Sequence, residues 1–129
     1  MEGDAFLQKA AESVASAEDD HSKGRYNSCA GSTYYAAFQA AVAALMREGI
    51  RPRGGEWTHA FVRSQFSGRL VYRRKLYDRE FRSLLMQAFD RRVVADYTTT
   101  AVKRQDVDRL LDQTVRLVAG VREQIDGNR

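Results

Sequence analysis

The stretch Tyr26–Met46, entered through Arg25, limits what this chain can become more than any other. It contains no proline, and Gly31 is its only glycine. Tyr26, Ala30, Thr33, Tyr34, Ala37, Ala41, Ala44 and Leu45 recur at three- and four-residue spacing, and Tyr35, Phe38 and Val42 form a second stripe. Both fit one helix of about 22 residues, roughly 33 Å long at 1.5 Å per residue. A helix that is apolar on two sides needs neighbours on more than one face. Ala36, Ala37, Ala40, Ala41, Ala43 and Ala44 let those neighbours approach closely, while the tyrosines and Phe38 supply area to bury. The remainder of the chain then reads as packing around a central spine.

Residues 4–23 read as a preceding helix, capped by Asp4, with Phe6, Leu7, Ala10, Ala11, Val14 and Ala17 as its apolar stripe. Gly24 ends it, so it and the spine form a tight antiparallel hairpin. Gly49 ends the spine, and Arg51-Pro52-Arg53-Gly54-Gly55 is a loop. Thr58 caps a short helix to about Gln65, with Ser67-Gly68 as a break. Leu76, Tyr77, Phe81, Leu84, Leu85, Ala88 and Phe89 give a helix from about Arg73 to Val94. Thr98-Thr99-Thr100 favours an extended link. Val107, Leu110, Leu111, Thr114, Leu117, Val118, Val121 and Ile125 mark a last helix over about Arg104–Ile125, stopped by Gly127. No stretch reads as a strand. The expectation is an all-α, up-and-down bundle of four long helices and one short one, a single domain over residues 1–129.

A chain of 129 residues buries a core without disulfides or metal. The lone Cys29 suits a reducing compartment, the acidic Met1 end does not look like a signal peptide, and no apolar run is long enough to span a membrane. A cytoplasmic protein is expected. Charge is uneven. Residues 1–46 balance to −3, residues 47–92 to +7 and residues 93–129 to 0, and eleven of the twelve cations in the middle third are arginine. The planar guanidinium fork suits phosphate oxygens, so the bias points towards an anionic partner; a solvated charged face is the plainer reading.

Metal chemistry has little support, because His21, His59 and Cys29 share no ligand spacing. No cofactor motif, glycine-rich phosphate loop or nucleophile elbow occurs. Asp19-Asp20 at a helix C-terminus reads as solvated rather than catalytic. Arg91-Arg92-Val93-Val94-Ala95-Asp96-Tyr97 is more informative. Arg92 continues the row Leu85–Ala88, so it emerges from an apolar face, and Asp96 follows one turn later. Two readings stay open: an Arg–Asp bridge closing a helix end, or an arginine held in an apolar cleft beside a tyrosine hydroxyl, ready for phosphate. Tyr34 and Tyr35 point to different sides of the spine, one into the bundle and one outward.

Taken in order, the Gly24 hairpin with Arg25-Tyr26-Asn27, then Ser32-Thr33-Tyr34-Tyr35-Ala36-Ala37-Phe38, then Thr58-His59, then Arg92-Val93-Val94-Ala95-Asp96-Tyr97, resemble the HEPN superfamily in its small prokaryotic branch. The resemblance covers roughly residues 5–126. It implies a helical homodimer from a toxin–antitoxin or related defence cassette, binding RNA or nucleotide at a cleft. Many such proteins are metal-independent ribonucleases that use an arginine and, four to six residues on, a histidine. Here Tyr97 stands five residues after Arg92, and neither histidine is nearby. Enzymatic activity is therefore left open. On the resemblance, Arg92, Asp96 and Tyr97 are the candidate catalytic residues, and Arg91, Arg92 and His59 the candidate contacts to RNA or nucleotide. The competing expectation is a non-catalytic subunit for a nucleotidyltransferase-type partner, which in some pairs adds AMP to a tyrosine; Tyr97 holds that position.

Overall fold

The spine is one helix, and every other helix except the shortest elements leans on it broadly. A computed structural model describes residues 3–127. Met1, Glu2, Asn128 and Arg129, which the expected domain includes, lie outside the described residues. The helices are α1 (Gly3–Ser22), α2 (Tyr26–Arg47), α3 (His59–Gln65), α4 (Leu84–Tyr97) and α5 (Arg104–Asp126). A π-helical segment, Phe66–Arg73, continues α3, and a 3₁₀ turn, Arg79–Phe81, precedes α4. No strand occurs among the described residues.

The α2 helix touches α1, α3, α4 and α5. From Ala36 to Leu45 it buries every residue except Phe38 and Gln39, which are partly covered. The alanines allow close approach. A Cβ added at Gly3 of α1 would stand 2.9 Å from the Ala43 carbonyl oxygen. The main core gathers Leu7, Leu45, Val62, Phe66, Leu70, Leu84, Leu85, Leu110, Leu117 and Val121. Phe66 is fully buried at the α3–π junction, so Phe66→Ala should cost about 3–5 kcal/mol. A smaller cluster of Ala17, Cys29, Ala30, Val102, Val107 and Leu111 seals the other end.

Gly24 and Gly49 both adopt positive φ, +73° and +74°, as the helix ends they mark require. Two expected features are corrected. Ser67-Gly68 does not break the third helix; the chain runs on through it in π geometry to Arg73. The Ser67 hydroxyl donates to the Arg82 carbonyl at 2.7 Å, so the serine pins this segment to the turn before α4. The fourth helix begins at Leu84, not Arg73. Leu76, Tyr77 and Phe81 are packed against the core as expected, but from irregular backbone, where the Asp78 carboxylate accepts the Glu80 N–H at 2.9 Å and starts a 3₁₀ turn. Their helical spacing was coincidental.

Two smaller points also change. Asp4 sits in the first turn of α1, which begins at Gly3, so it is not the cap. Asp20 is buried, contrary to the solvated reading. Its carboxylate accepts from Arg25 Nε at 2.9 Å and from the Ser28 hydroxyl at 2.7 Å, tying the hairpin turn together.

Candidate functional site

Helical geometry places consecutive side chains about 100° apart, and this separates Tyr34 from Tyr35. Tyr34 is 4% exposed and Tyr35 44%. Across from them, α4 carries Leu85 and Ala88 into the core, and the same row brings Arg92 out at the rim. The Arg92 Cζ lies 5.3 Å from the Tyr34 ring centroid and 4.9 Å from that of Tyr35. Both distances are within cation–π range, so the guanidinium is held against two aromatic rings.

Asp96, one turn on, brings Oδ2 to 3.4 Å from Arg92 Nε. That is a charge contact without hydrogen-bond geometry, because Nε is buried and has no hydrogen-bond partner within the protein. Leaving a charged donor unmatched is unfavourable by about 1–3 kcal/mol or more. The exposed part of the Arg92 side chain, 23% of it, is what an oxyanion at the rim could meet.

The third wall comes from α3. Thr58 caps its start, its hydroxyl accepting the Phe61 N–H at 3.1 Å, and the next residue is His59. The His59 ring stacks on Phe89 of α4 at 4.0 Å and 21°. Its Nδ1 is 3.1 Å from the Tyr34 hydroxyl. Burial holds the His59 pKa below the ordinary value, helped by the positive charges of Arg63 and Arg92 and opposed by Asp90. Burial also raises the Tyr34 phenol, partly offset by Arg92. Near neutral pH both groups are uncharged beside a fixed cation.

Of the residues singled out from sequence, Arg92, Asp96 and His59 therefore converge around Tyr34. Arg91 and Tyr97 do not join them. Arg91 is rotated towards α5, with Nη1 3.4 Å from Asp106 Oδ2. Tyr97 closes α4 at 74% exposure. Phe89 went unnoticed as a site residue; its place three residues before Arg92, on the same helix face, was the available signal. Among the described residues no set of three His, Cys, Asp or Glu side chains is grouped to hold a metal ion. No helix among them is long and apolar enough to cross a membrane.

Among curated proteins no relative matches the chain. The family model of the HEPN domain matches residues 4–124, all but the first three and last five positions. The motif order along the helices and this match agree, and the chain belongs to the HEPN domain family.

Proposed function

We propose that this protein is the RNA- or nucleotide-binding module of a prokaryotic toxin–antitoxin or defence cassette, working as a homodimer through the Arg92 pocket. The observation that carries the reading is the setting of Arg92, whose Cζ lies 5.3 and 4.9 Å from the ring centroids of Tyr34 and Tyr35 while its buried Nε has no hydrogen-bond partner in the protein. Arg92 is the phosphate contact, Asp96 steadies its head group, and His59 meets the Tyr34 hydroxyl through Nδ1 at 3.1 Å.

This arrangement also suggests how RNA cleavage would run despite the displaced histidine. With Nδ1–H donating to the Tyr34 oxygen, His59 Nε2 is a bare acceptor. It takes the proton of a ribose 2′-hydroxyl as that oxygen bonds to phosphorus. The 5′-oxygen then leaves and takes up a proton, giving a 2′,3′-cyclic phosphate. Arg92 stabilises the charge on the phosphate oxygens.

Total RNA incubated with the protein in EDTA tests this. Cleavage that Arg92→Ala and His59→Gln each reduce by about 10²-fold supports the ribonuclease. RNA that is bound and left intact points to a binding module alone. A second reading, a subunit for a nucleotidyltransferase-type partner, is favoured by the exposure of Tyr97 at a helix end. It requires an AMP adduct on Tyr97 by mass spectrometry after incubation with such an enzyme and ATP. An unmodified Tyr97 rejects it.

A further inference from the structure

Part of the arginine excess of residues 47–92 gathers away from Tyr34. Between the π-helical segment and the 3₁₀ turn lies an open groove of about 1020 Å³. Arg73, Lys75, Arg79 and Arg82 rim it, and Tyr72 stands beside them at 68% exposure. Its one acidic rim residue, Asp78, has its carboxylate engaged by the Glu80 N–H. None of the four cations has an ion-pair partner among the described residues, whereas neighbouring Arg74 is paired with Glu48 and Arg116 with Glu80. Four exposed cations against one carboxylate, Asp78, leave the groove with a net charge of +3, which an anionic ligand would complement.

The backbone supports the same conclusion. The groove is lined in part by the π-helix, a rare geometry that is frequent at functional sites. The turn that follows holds Lys75 at φ +53°, the one described non-glycine residue at positive φ. That conformation is unfavourable for a lysine, and here it serves to double the chain back, with the Leu76 N–H reaching the Leu70 carbonyl at 2.9 Å.

A second depression adjoins the groove on the side towards α3. Arg82 lines this depression, of about 310 Å³, together with Arg63 and Met86. Arg63 is one turn beyond His59 on α3, close enough for its charge to act on that imidazole. Arg82 and Arg63 thus carry the positive charge from Arg73 and Arg79 as far as α3, the helix that bears His59.

We propose that the groove is a second phosphate-binding site, which holds a single-stranded RNA several nucleotides away from the Arg92 pocket. Arg73, Lys75, Arg79 and Arg82 contact successive phosphates, and Tyr72 stacks on a base. The identification of the ligand as RNA rests on the reading of the Arg92 pocket given above. An acidic polypeptide would satisfy the charges, but it would leave Tyr72 without a stacking partner.

The experiment measures binding of fluorescently labelled 12-mer and 4-mer uridine RNAs in EDTA across a salt series. The variants are Arg73→Gln/Arg79→Gln/Arg82→Gln, Tyr72→Ala, Arg92→Ala, and a control, Lys9→Gln/Arg104→Gln/Arg122→Gln, with the same loss of net charge. The groove triple should weaken 12-mer binding at least tenfold more than the control. It should flatten the salt dependence of log K by about 2, since each single-strand phosphate contact contributes about 0.7. It should leave the 4-mer within about twofold. Tyr72→Ala should cost roughly tenfold at unchanged salt slope. If the groove triple does not fold, Arg79→Gln/Arg82→Gln is read against Arg104→Gln/Arg122→Gln.

A groove triple equal to the control overturns the groove, and a loss confined to Arg92→Ala leaves the pocket standing. A loss confined to the groove triple upholds the groove and overturns the pocket. Polyglutamate displacing the 12-mer as well as unlabelled RNA does replaces RNA with an acidic polypeptide, and a wild-type protein that binds neither RNA overturns both.

Discussion

Arg25 and Arg92 each face an aspartate, and the two settings differ in what the guanidinium has left to offer. Arg25 donates to Asp20 and Asp19 at 2.9 Å each, and Asp20 also accepts from Ser28. The cluster closes the turn between α1 and α2, and its donors point at protein. Arg92 has only the 3.4 Å contact to Asp96, two tyrosine rings within 5.3 Å of its Cζ, and no hydrogen bond from its buried Nε. Arg25 is committed to structure. Arg92 is positioned by packing rather than by hydrogen bonds, so its terminal Nη groups are not committed to the protein. An arginine held this way keeps its orientation without using up its donors, which is what recognition of a phosphate requires.

The contrast is sharpest in RNA binding. Arg92→Ala should weaken RNA binding by roughly 10- to 150-fold, the equivalent of one charged hydrogen bond, while the stability of the folded state changes by no more than about 2 kcal/mol, because loss of the two cation–π contacts is offset by removal of a buried unmatched donor. Anisotropy titration and urea melts check the two halves together. Next in size, Asp20→Ala should destabilise the fold by about 1–3 kcal/mol, because Ser28 and the Arg25 Nε lose their acceptor. RNA affinity of the folded fraction should not move. A urea melt of Asp20→Ala indistinguishable from wild type would mean that the hairpin cluster is not structural after all.

His59 gives a pH signature that Arg25 lacks. Its folded pKa lies below the ordinary value near 6.5, so its contribution is complete above that value and is lost as pH falls through the window beneath it. Wild type should therefore lose stability on going from pH 7.5 to 5.5 more steeply than His59→Gln. Parallel profiles would remove His59 from the buried site. Tyr34→Phe keeps the ring under Arg92 but deletes the 3.1 Å hydroxyl contact to His59. It should cost about 1 kcal/mol, with RNA affinity nearly retained. The smallest effect belongs to Asp96→Asn. That pair is 23% and 46% exposed and poorly aligned, so its loss should stay under about 1 kcal/mol, well below the Asp20 substitution.

The regularity of the chain decided what was legible. In α1, α2 and α5 the apolar residues repeat at one helical period and glycines with positive φ close the hairpin and the spine, so sequence alone located these helices to within a residue or two. Residues 66–83 were misread because burial and periodicity part company there. Leu76, Tyr77 and Phe81 pack inward from non-helical backbone, and Gly68 is carried inside a π-helix where a break was expected. The Arg92–Asp96 contact was legible because it is local, one turn of one helix. The approach of His59 to Tyr34 and Phe89 joins residues 25 and 30 positions apart, and no spacing rule reaches that far. The burial of Asp20 was missed for a similar reason, since its acceptor role depends on the turn that brings Arg25 and Ser28 back to it.

The most direct test compares Arg92→Ala with Arg25→Ala in binding to one labelled single-stranded RNA, in EDTA, with both variants shown to be folded. Each removes one positive charge. Arg92→Ala should lose at least about tenfold in affinity and Arg25→Ala no more than about twofold. Equal losses would mean that RNA responds to net charge alone and that the tyrosine-held arginine has no special part in recognition.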